Sequence, residues 1–227
     1  MIAKNRRLLL LTAAAFASCS SPRPSPTPAP SSASPSTPTD DRPAVVFLGT
    51  SLTAGFGLDV DDAYPALIQK KIDAAGLSYR VVNAGVSGET SAGALRRVDW
   101  ILREKVAVLV LETGANDGLR GQDPDVTRAN IQAVFDRARK ESPPPRLVLA
   151  GMEALPNYGA RYVARFRAIF PELARKNDAV LIPFLLEGVA GVRSLNQADG
   201  VHPTAEGHVR IAETVWSALR PLLGRVR

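Results

Sequence analysis

The 227-residue sequence contains one cysteine, Cys19, and two histidines, His202 and His208. A lone cysteine excludes an intramolecular disulfide. Two histidines leave no plausible ligand set for a metal once one of them is committed to other chemistry. Aromatic residues make up only 6% of the chain, and none interleave with cations in the manner that stacks bases, so nucleic acid is not an expected partner despite a net charge of +6. Part of that charge sits in Lys4, Arg6 and Arg7. The pair Arg96-Arg97 and the cluster Arg137, Arg139 and Lys140 read as solvated helix faces. A phosphate-cradling G-x-G-x-x-G is missing, and so is any internal repeat. The apolar run Leu8 to Ala17 is too short to span a bilayer comfortably.

A basic start followed by that short apolar run and small residues reads as an export signal. It ends in FASC, Phe16 to Cys19, which resembles the lipobox of bacterial lipoprotein signals, with Phe16 where leucine is usual. The resemblance implies cleavage before Cys19 and a diacylglycerol on its sulfur. From Ser20 to Pro38 the chain is mostly Ser, Pro, Thr and Ala. Too few apolar side chains are present there to offset ordering entropy, so an extended tether is expected. The implied organisation is a signal peptide over 1–18, a Ser/Pro-rich tether over 19–42 and one folded domain over 43–227.

Within that domain, short continuous apolar runs alternate with amphipathic ones. The strand candidates are Ala44 to Leu48, Arg80 to Asn83, Val106 to Leu111, Arg146 to Ala150 and Val180 to Pro183. Continuous rather than alternating hydrophobicity is expected of parallel strands covered on both faces. Helical spacing appears between them, as in Val163, Phe166, Phe170 and Leu173, or Ile211, Ala212, Val215 and Leu219. Strand and helix in alternation imply a three-layer α/β/α sandwich around a mostly five-stranded parallel sheet. Ligands in such sheets bind beyond the carboxyl ends of the strands. The loops at those ends are GTSLTAG (Gly49 to Gly55), NAGVSGET (Asn83 to Thr90) and ETGANDG (Glu112 to Gly118), joined by DGVHP (Asp199 to Pro203) before the last helix.

A serine hydroxyl is a poor nucleophile unless a base takes its proton. His202 lies in a Gly/Pro-marked loop, and Asp199 precedes it by three residues, close enough to hold one ring nitrogen and stabilise the imidazolium. His208 falls inside the last helix pattern and reads as a surface or packing residue. The first loop is not the G-x-S-x-G elbow, because Thr53 stands at the second glycine position.

These loops, taken in order, resemble the blocks of the SGNH, or GDSL-type, hydrolases: serine in the first, glycine in the second, G-x-N-D in the third and D-x-x-H in the last. The resemblance runs from Val45 to Leu223. Through NDGLRG (Asn116 to Gly121) and LPNYG (Leu155 to Gly159) it lies nearest the thioesterase-I/lysophospholipase/arylesterase branch. It implies a flavodoxin-like fold, a catalytic set of Ser51, Asp199 and His202, and an oxyanion hole from the Ser51 and Gly85 N–H groups with the Asn116 amide. It also suggests Asn157 and Tyr158 as neighbours of the acyl pocket, although a turn at the start of a helix explains them equally well. Asp117 is expected to order its loop, while Ser87, Glu89 and Thr90 are read either as cleft residues or, for Ser and Thr, as helix caps. One position departs from the family: Thr50 replaces the aspartate that usually precedes the serine.

The expected protein is therefore an exported serine esterase acting on carboxylic esters or thioesters, including acyl and aryl esters and lysophospholipids. It needs no cofactor, acts as a monomer, and is held at the cell envelope through Cys19. A deacetylase or acyltransferase working on envelope polysaccharide would share the fold and nucleophile. A non-catalytic binding lipoprotein is the reading from a different class.

Overall fold

A computed structural model of the chain describes residues 40–224. The signal, Cys19 and nearly all of the tether lie outside the described residues. The elements in chain order are β1 (Ala44–Gly49), α1 (Ser51–Ala54), α2 (Tyr64–Ala74), β2 (Arg80–Gly85), α3 (Ser91–Ile101) and β3 (Val106–Glu112). They continue with α4 (Ala115–Leu119), α5 (Pro124–Ala138), β4 (Arg146–Ala150), α6 (Ala160–Lys176), β5 (Val180–Ile182) and α7 (Ala205–Leu219). The sheet has five strands in the order β2-β1-β3-β4-β5, every pairing parallel. Helices α2 and α7 pack together on one face, while α3, α5 and α6 cover the other. The expected three-layer α/β/α sandwich is the one observed.

Local chemistry explains the elements. All of β1 is buried, as its continuous apolar run requires for a strand covered on both sides. Helix α5 opens with Pro124 after Asp123, whose side chain accepts the Asp125 N–H at 3.0 Å. Helix α7 opens behind Thr204, whose hydroxyl accepts the Gly207 N–H at 3.3 Å. On α6, Phe166, Ile169, Phe170 and Leu173 form the buried stripe. Among the described residues no helix is long and apolar enough to cross a membrane.

Three strands run further than the sequence pattern suggests, β1 by Gly49 alone, and the extensions of β2 and β3 matter for the site. β2 continues through Ala84 and Gly85, and β3 takes in Glu112, so both Gly85 and Glu112 are sheet residues rather than loop residues. Gly49 pairs with Gly85 across β1 and β2. The approach there is close: a Cβ on Gly85 would lie 2.2 Å from the backbone nitrogen of Ala54. The chain reverses its winding direction at β1, the place where open α/β sheets present their binding crevice.

Candidate active site

Ser51 is the first residue of α1, immediately beyond the carboxyl end of β1. Thr50 before it has extended backbone dihedrals, which turns the chain sharply out of the sheet. The turn is held from below by β2: Asn83 donates its amide to Thr53 O at 2.9 Å. Arg97 also supports it, donating to Gly49 O at 3.2 Å and Ala84 O at 2.6 Å while paired with Glu89 at 2.7 Å. Arg97 is thus a half-buried brace rather than the solvated helix-face cation expected from sequence.

The loop before α7 brings His202 to Ser51. His202 Nε2 lies 3.0 Å from Ser51 Oγ, and His202 Nδ1 lies 2.6 Å from Asp199 Oδ2. The other carboxylate oxygen of Asp199 accepts the N–H groups of Val201 at 2.9 Å and His202 at 3.0 Å. The hydrogen bond from the His202 ring, followed by these two backbone donors, holds the Asp199 carboxyl far below the usual carboxylate range. Asp199 therefore stays ionised wherever His202 is neutral. The Phe56 ring packs against the imidazole, with centroids 4.5 Å apart.

His208 is a packing residue, and it is buried. Its Nδ1 accepts the Tyr64 N–H at 3.1 Å, and burial pushes its pKa down to about 4. Asp117 orders its surroundings as expected, taking the Ser91 N–H at 2.8 Å, the Ser91 hydroxyl at 2.5 Å and the Thr127 hydroxyl at 3.2 Å. Thr90 precedes α3 without a side-chain cap bond.

A cleft of about 440 Å³ opens beside Ser51 and His202. Its apolar wall is built from Phe56, Leu119, Met152, Leu155, Phe184 and Leu186. Ser51, Ser87, Gly88 and Asn116 also line it. Asn116 spends one amide hydrogen on Glu89 O at 3.0 Å, leaving the other without an acceptor among the described residues. The N–H groups of Ser51 and Gly88 likewise have no acceptor among the described residues.

Two expectations from sequence differ from the structure. Gly85 does not reach the cleft: its N–H goes to Asn83 Oδ1 at 3.0 Å, and its α-carbon is pressed against α1. Gly88, three residues on and at a φ of 77°, is the glycine of this stretch that borders the cleft with Ser51 and Asn116. Asn157 and Tyr158 belong to a 3₁₀ turn before α6 and do not line the cleft. Tyr158 acts behind the wall instead, donating its hydroxyl to Leu119 O at 2.9 Å, while Leu155 supplies the lining.

Glu112, Phe56 and the apolar wall residues were not singled out from sequence. A charged residue closing the apolar run VAVLVLE was the available signal for Glu112.

The family model for the GDSL-like lipase/acylhydrolase family matches residues 47–210, a stretch that contains all the residues of this hydrogen-bonded chain. The chain belongs to that family. It is 42% identical over 180 residues to the esterase TesA of Pseudomonas aeruginosa, covering 79% of this chain and 89% of that one. Against the Escherichia coli protein named thioesterase 1/protease 1/lysophospholipase L1, identity is 36% over 180 residues, covering 79% of this chain and 84% of the other. The crystal structure of the psychrotrophic esterase EstA from Pseudoalteromonas sp. superposes with a TM-score of 0.74 at 31% identity, covering 78% of this chain and 97% of that one. As a member of the GDSL-like lipase/acylhydrolase family, the chain is an ester-hydrolysing enzyme of the serine esterase and thioesterase type.

Proposed function

We propose that Ser51 attacks the carbonyl of an apolar acyl or aryl ester, or of the corresponding thioester, and carries the acyl group until water removes it. The observation that carries this reading is the continuous hydrogen-bonded line from Ser51 Oγ through His202 to Asp199, opening onto an apolar cleft. His202 takes the serine proton through Nε2 and returns it to the leaving group, and Asp199 holds the tautomer that leaves Nε2 free to accept. The Ser51 and Gly88 N–H groups and the free Asn116 amide hydrogen form the oxyanion hole. Water then attacks the acyl-enzyme along the same route in reverse.

The large apolar side chains outweigh the polar lining of Ser87, Asn116, Glu153 and Asn196 and favour acyl and aryl groups over polysaccharide. Thioesters and lysophospholipids, after the name of the Escherichia coli relative, and aryl esters are the substrate classes proposed for this chain. The expected result with a chain-length series of chromogenic esters is a kcat/KM that rises from acetyl to longer acyl groups. The rise is up to about fourfold per methylene, because burying each one yields about 0.8 kcal/mol, until the cleft is filled. A profile that falls from acetyl onwards would instead favour the deacetylase reading.

The same proposal places the enzyme at the cell envelope as a lipid-anchored monomer. Support comes from FASC ending the apolar run and from a catalytic set drawn wholly from one chain. Cys19→Ala is expected to move the protein from the membrane fraction to the soluble fraction with activity intact. Unchanged fractionation would remove the anchor from the reading.

A further inference from the structure

Beneath the nucleophile turn lies a carboxylate that the reaction does not touch. Glu112, at the end of β3, is fully buried. Its Oε2 accepts the Thr50 N–H at 2.7 Å and the Thr53 hydroxyl at 2.9 Å, and Oε1 accepts the Thr50 hydroxyl at 2.9 Å. Tyr64 OH lies 2.7 Å from Thr53 Oγ1 and donates to it, since the Thr53 proton is committed to Glu112. The carboxylate therefore grips the residue before Ser51 and the residue two after it. Gly49 is what permits this: a Cβ there would fall 1.9 Å from Thr53 Oγ1 and 2.7 Å from Glu112 Oε2.

We propose that Glu112 is a positioning residue for the nucleophile, and that Ser51 is held in line with His202 only while Glu112 is ionised. The proposal rests on the serine-esterase reading of Ser51 and adds a second ionisation on which turnover depends.

Every hydrogen aimed at Glu112 comes from a donor, and an ionised carboxylate can accept them all. A protonated Glu112 must itself donate, and the only oxygens in reach are those of Thr50 and Thr53. One hydroxyl of the connected set Thr50, Thr53 and Tyr64 then loses its acceptor, at the cost of an unpaired buried group. Relief comes by shifting the turn, which carries the Ser51 N–H and Oγ with it. Burial opposes ionisation and the hydrogen bonds from Thr50 and Thr53 favour it, with the balance placing the Glu112 pKa near 7 against an ordinary 4.5.

The other titratable and charged groups on the elements packed around Glu112 are neutral, paired or hydrogen-bonded. Tyr64 on α2 is pushed up by burial and stays neutral. His208 on α7, stacked on Tyr64, is pushed down to about 4 by burial and is also neutral. Arg97 on α3 is neutralised by Glu89 at 2.7 Å, and Asp117 on α4 is held by Ser91 and Thr127. Opposite Glu112, β4 brings only Ala150.

Thr50 acquires a specific role from this geometry. Where the family usually places aspartate, this chain places a hydroxyl donor, so Glu112 meets a hydrogen bond rather than a second negative charge. Replacing Thr50 alters Glu112 ionisation in a direction that can be read from activity.

The test is the pH dependence of kcat on a short chromogenic ester, using full-length wild type, Glu112→Gln, Thr50→Val, Thr50→Ser and Ser51→Ala. Wild type is expected to show an acid limb with two ionisations, steepening from about tenfold to about a hundredfold loss per pH unit. Glu112→Gln is expected to lower kcat by about 10- to 100-fold with little change in KM, and to leave a single ionisation. Thr50→Val, which removes one donor to the charged form, moves the upper acid midpoint to higher pH; Thr50→Ser restores it.

Stability moves the other way from turnover. The folded chain holds the Glu112 proton up to about pH 7, whereas the ordinary value is 4.5. Wild type therefore gains thermal stability relative to Glu112→Gln as pH falls through that window, while its kcat declines. Should Glu112→Gln fail to fold, the two Thr50 variants carry the test alone. An acid limb of the same shape and midpoint in wild type and every folded variant, with Ser51→Ala inactive, overturns the positioning role while the nucleophile stands. Activity retained in Ser51→Ala overturns both.

Discussion

Ser51→Ala is expected to lower kcat on a chromogenic ester by about 10⁶-fold, with the fold and melting temperature unchanged. The size follows from the wiring of the site. His202 Nε2 lies 3.0 Å from Ser51 Oγ, so removing the hydroxyl takes away both the attacking atom and the only proton that His202 is placed to accept. What remains is the environment: the free N–H groups of residue 51 and Gly88, the Asn116 amide and the apolar wall. Such groups can still polarise a bound carbonyl and leave a small residual rate over water. Packing changes little, because alanine fits the first position of α1 and the turn is held through Thr50, Thr53 and Asn83. The check is burst titration with a fluorophosphonate alongside steady-state rates. Wild type should label stoichiometrically and the variant not at all. Labelling of the variant at a different residue would displace Ser51 from its role.

Asp199→Asn carries the second largest expected effect, a loss of about 10³- to 10⁴-fold in kcat with KM nearly unchanged. Asp199 Oδ2 lies 2.6 Å from His202 Nδ1 and can only accept while ionised. That forces the ring proton onto Nδ1 and leaves Nε2 as an acceptor for Ser51. An asparagine amide can present its N–H₂ to Nδ1, which places the proton on Nε2 and turns the base into a donor. Asparagine also supplies no charge to stabilise the imidazolium. The lower part of the range is included because the Asp199 side chain is 42% exposed, and solvent replaces part of the missing charge. Since the Asp199 carboxyl is held far below the usual range, its own titration adds no acid limb near neutrality. A variant retaining more than about a tenth of wild-type kcat would mean that water alone orients His202.

The hydrogen-bonded line of Ser51, His202 and Asp199 was legible in the sequence because its parts are local signals. Asp199 and His202 stand three residues apart in one Gly/Pro-marked loop, and Ser51 directly follows an apolar strand. His208 was separable from His202 because it falls within a helical pattern, and it does pack inside α7. The glycine proposed for the oxyanion hole was not separable in this way. Gly85 and Gly88 lie in the same eight-residue stretch, and nothing in their spacing says which is still in the sheet. The Gly49–Gly85 pairing settles it by extending β2 through Gly85 and tucking that residue under α1. Arg97 was misread for a related reason. An arginine next to another arginine on a helix looks solvated until the carbonyl ends of β1 and β2 are found within its reach.

By itself, the sequence determined the alternation of buried strands and amphipathic helices, the parallel sandwich that follows, and which serine, histidine and aspartate to propose as nucleophile, base and orienting acid. These depend on side-chain periodicity and on contacts within a few residues. Tertiary structure alone decided that Gly88 borders the cleft, that Leu155 rather than Asn157 or Tyr158 lines it, and that Glu112 lies beneath Ser51. The last joins residues 62 and 59 positions apart. Strand register brings them together, and register is set by packing across the whole sheet rather than by any short stretch of the chain.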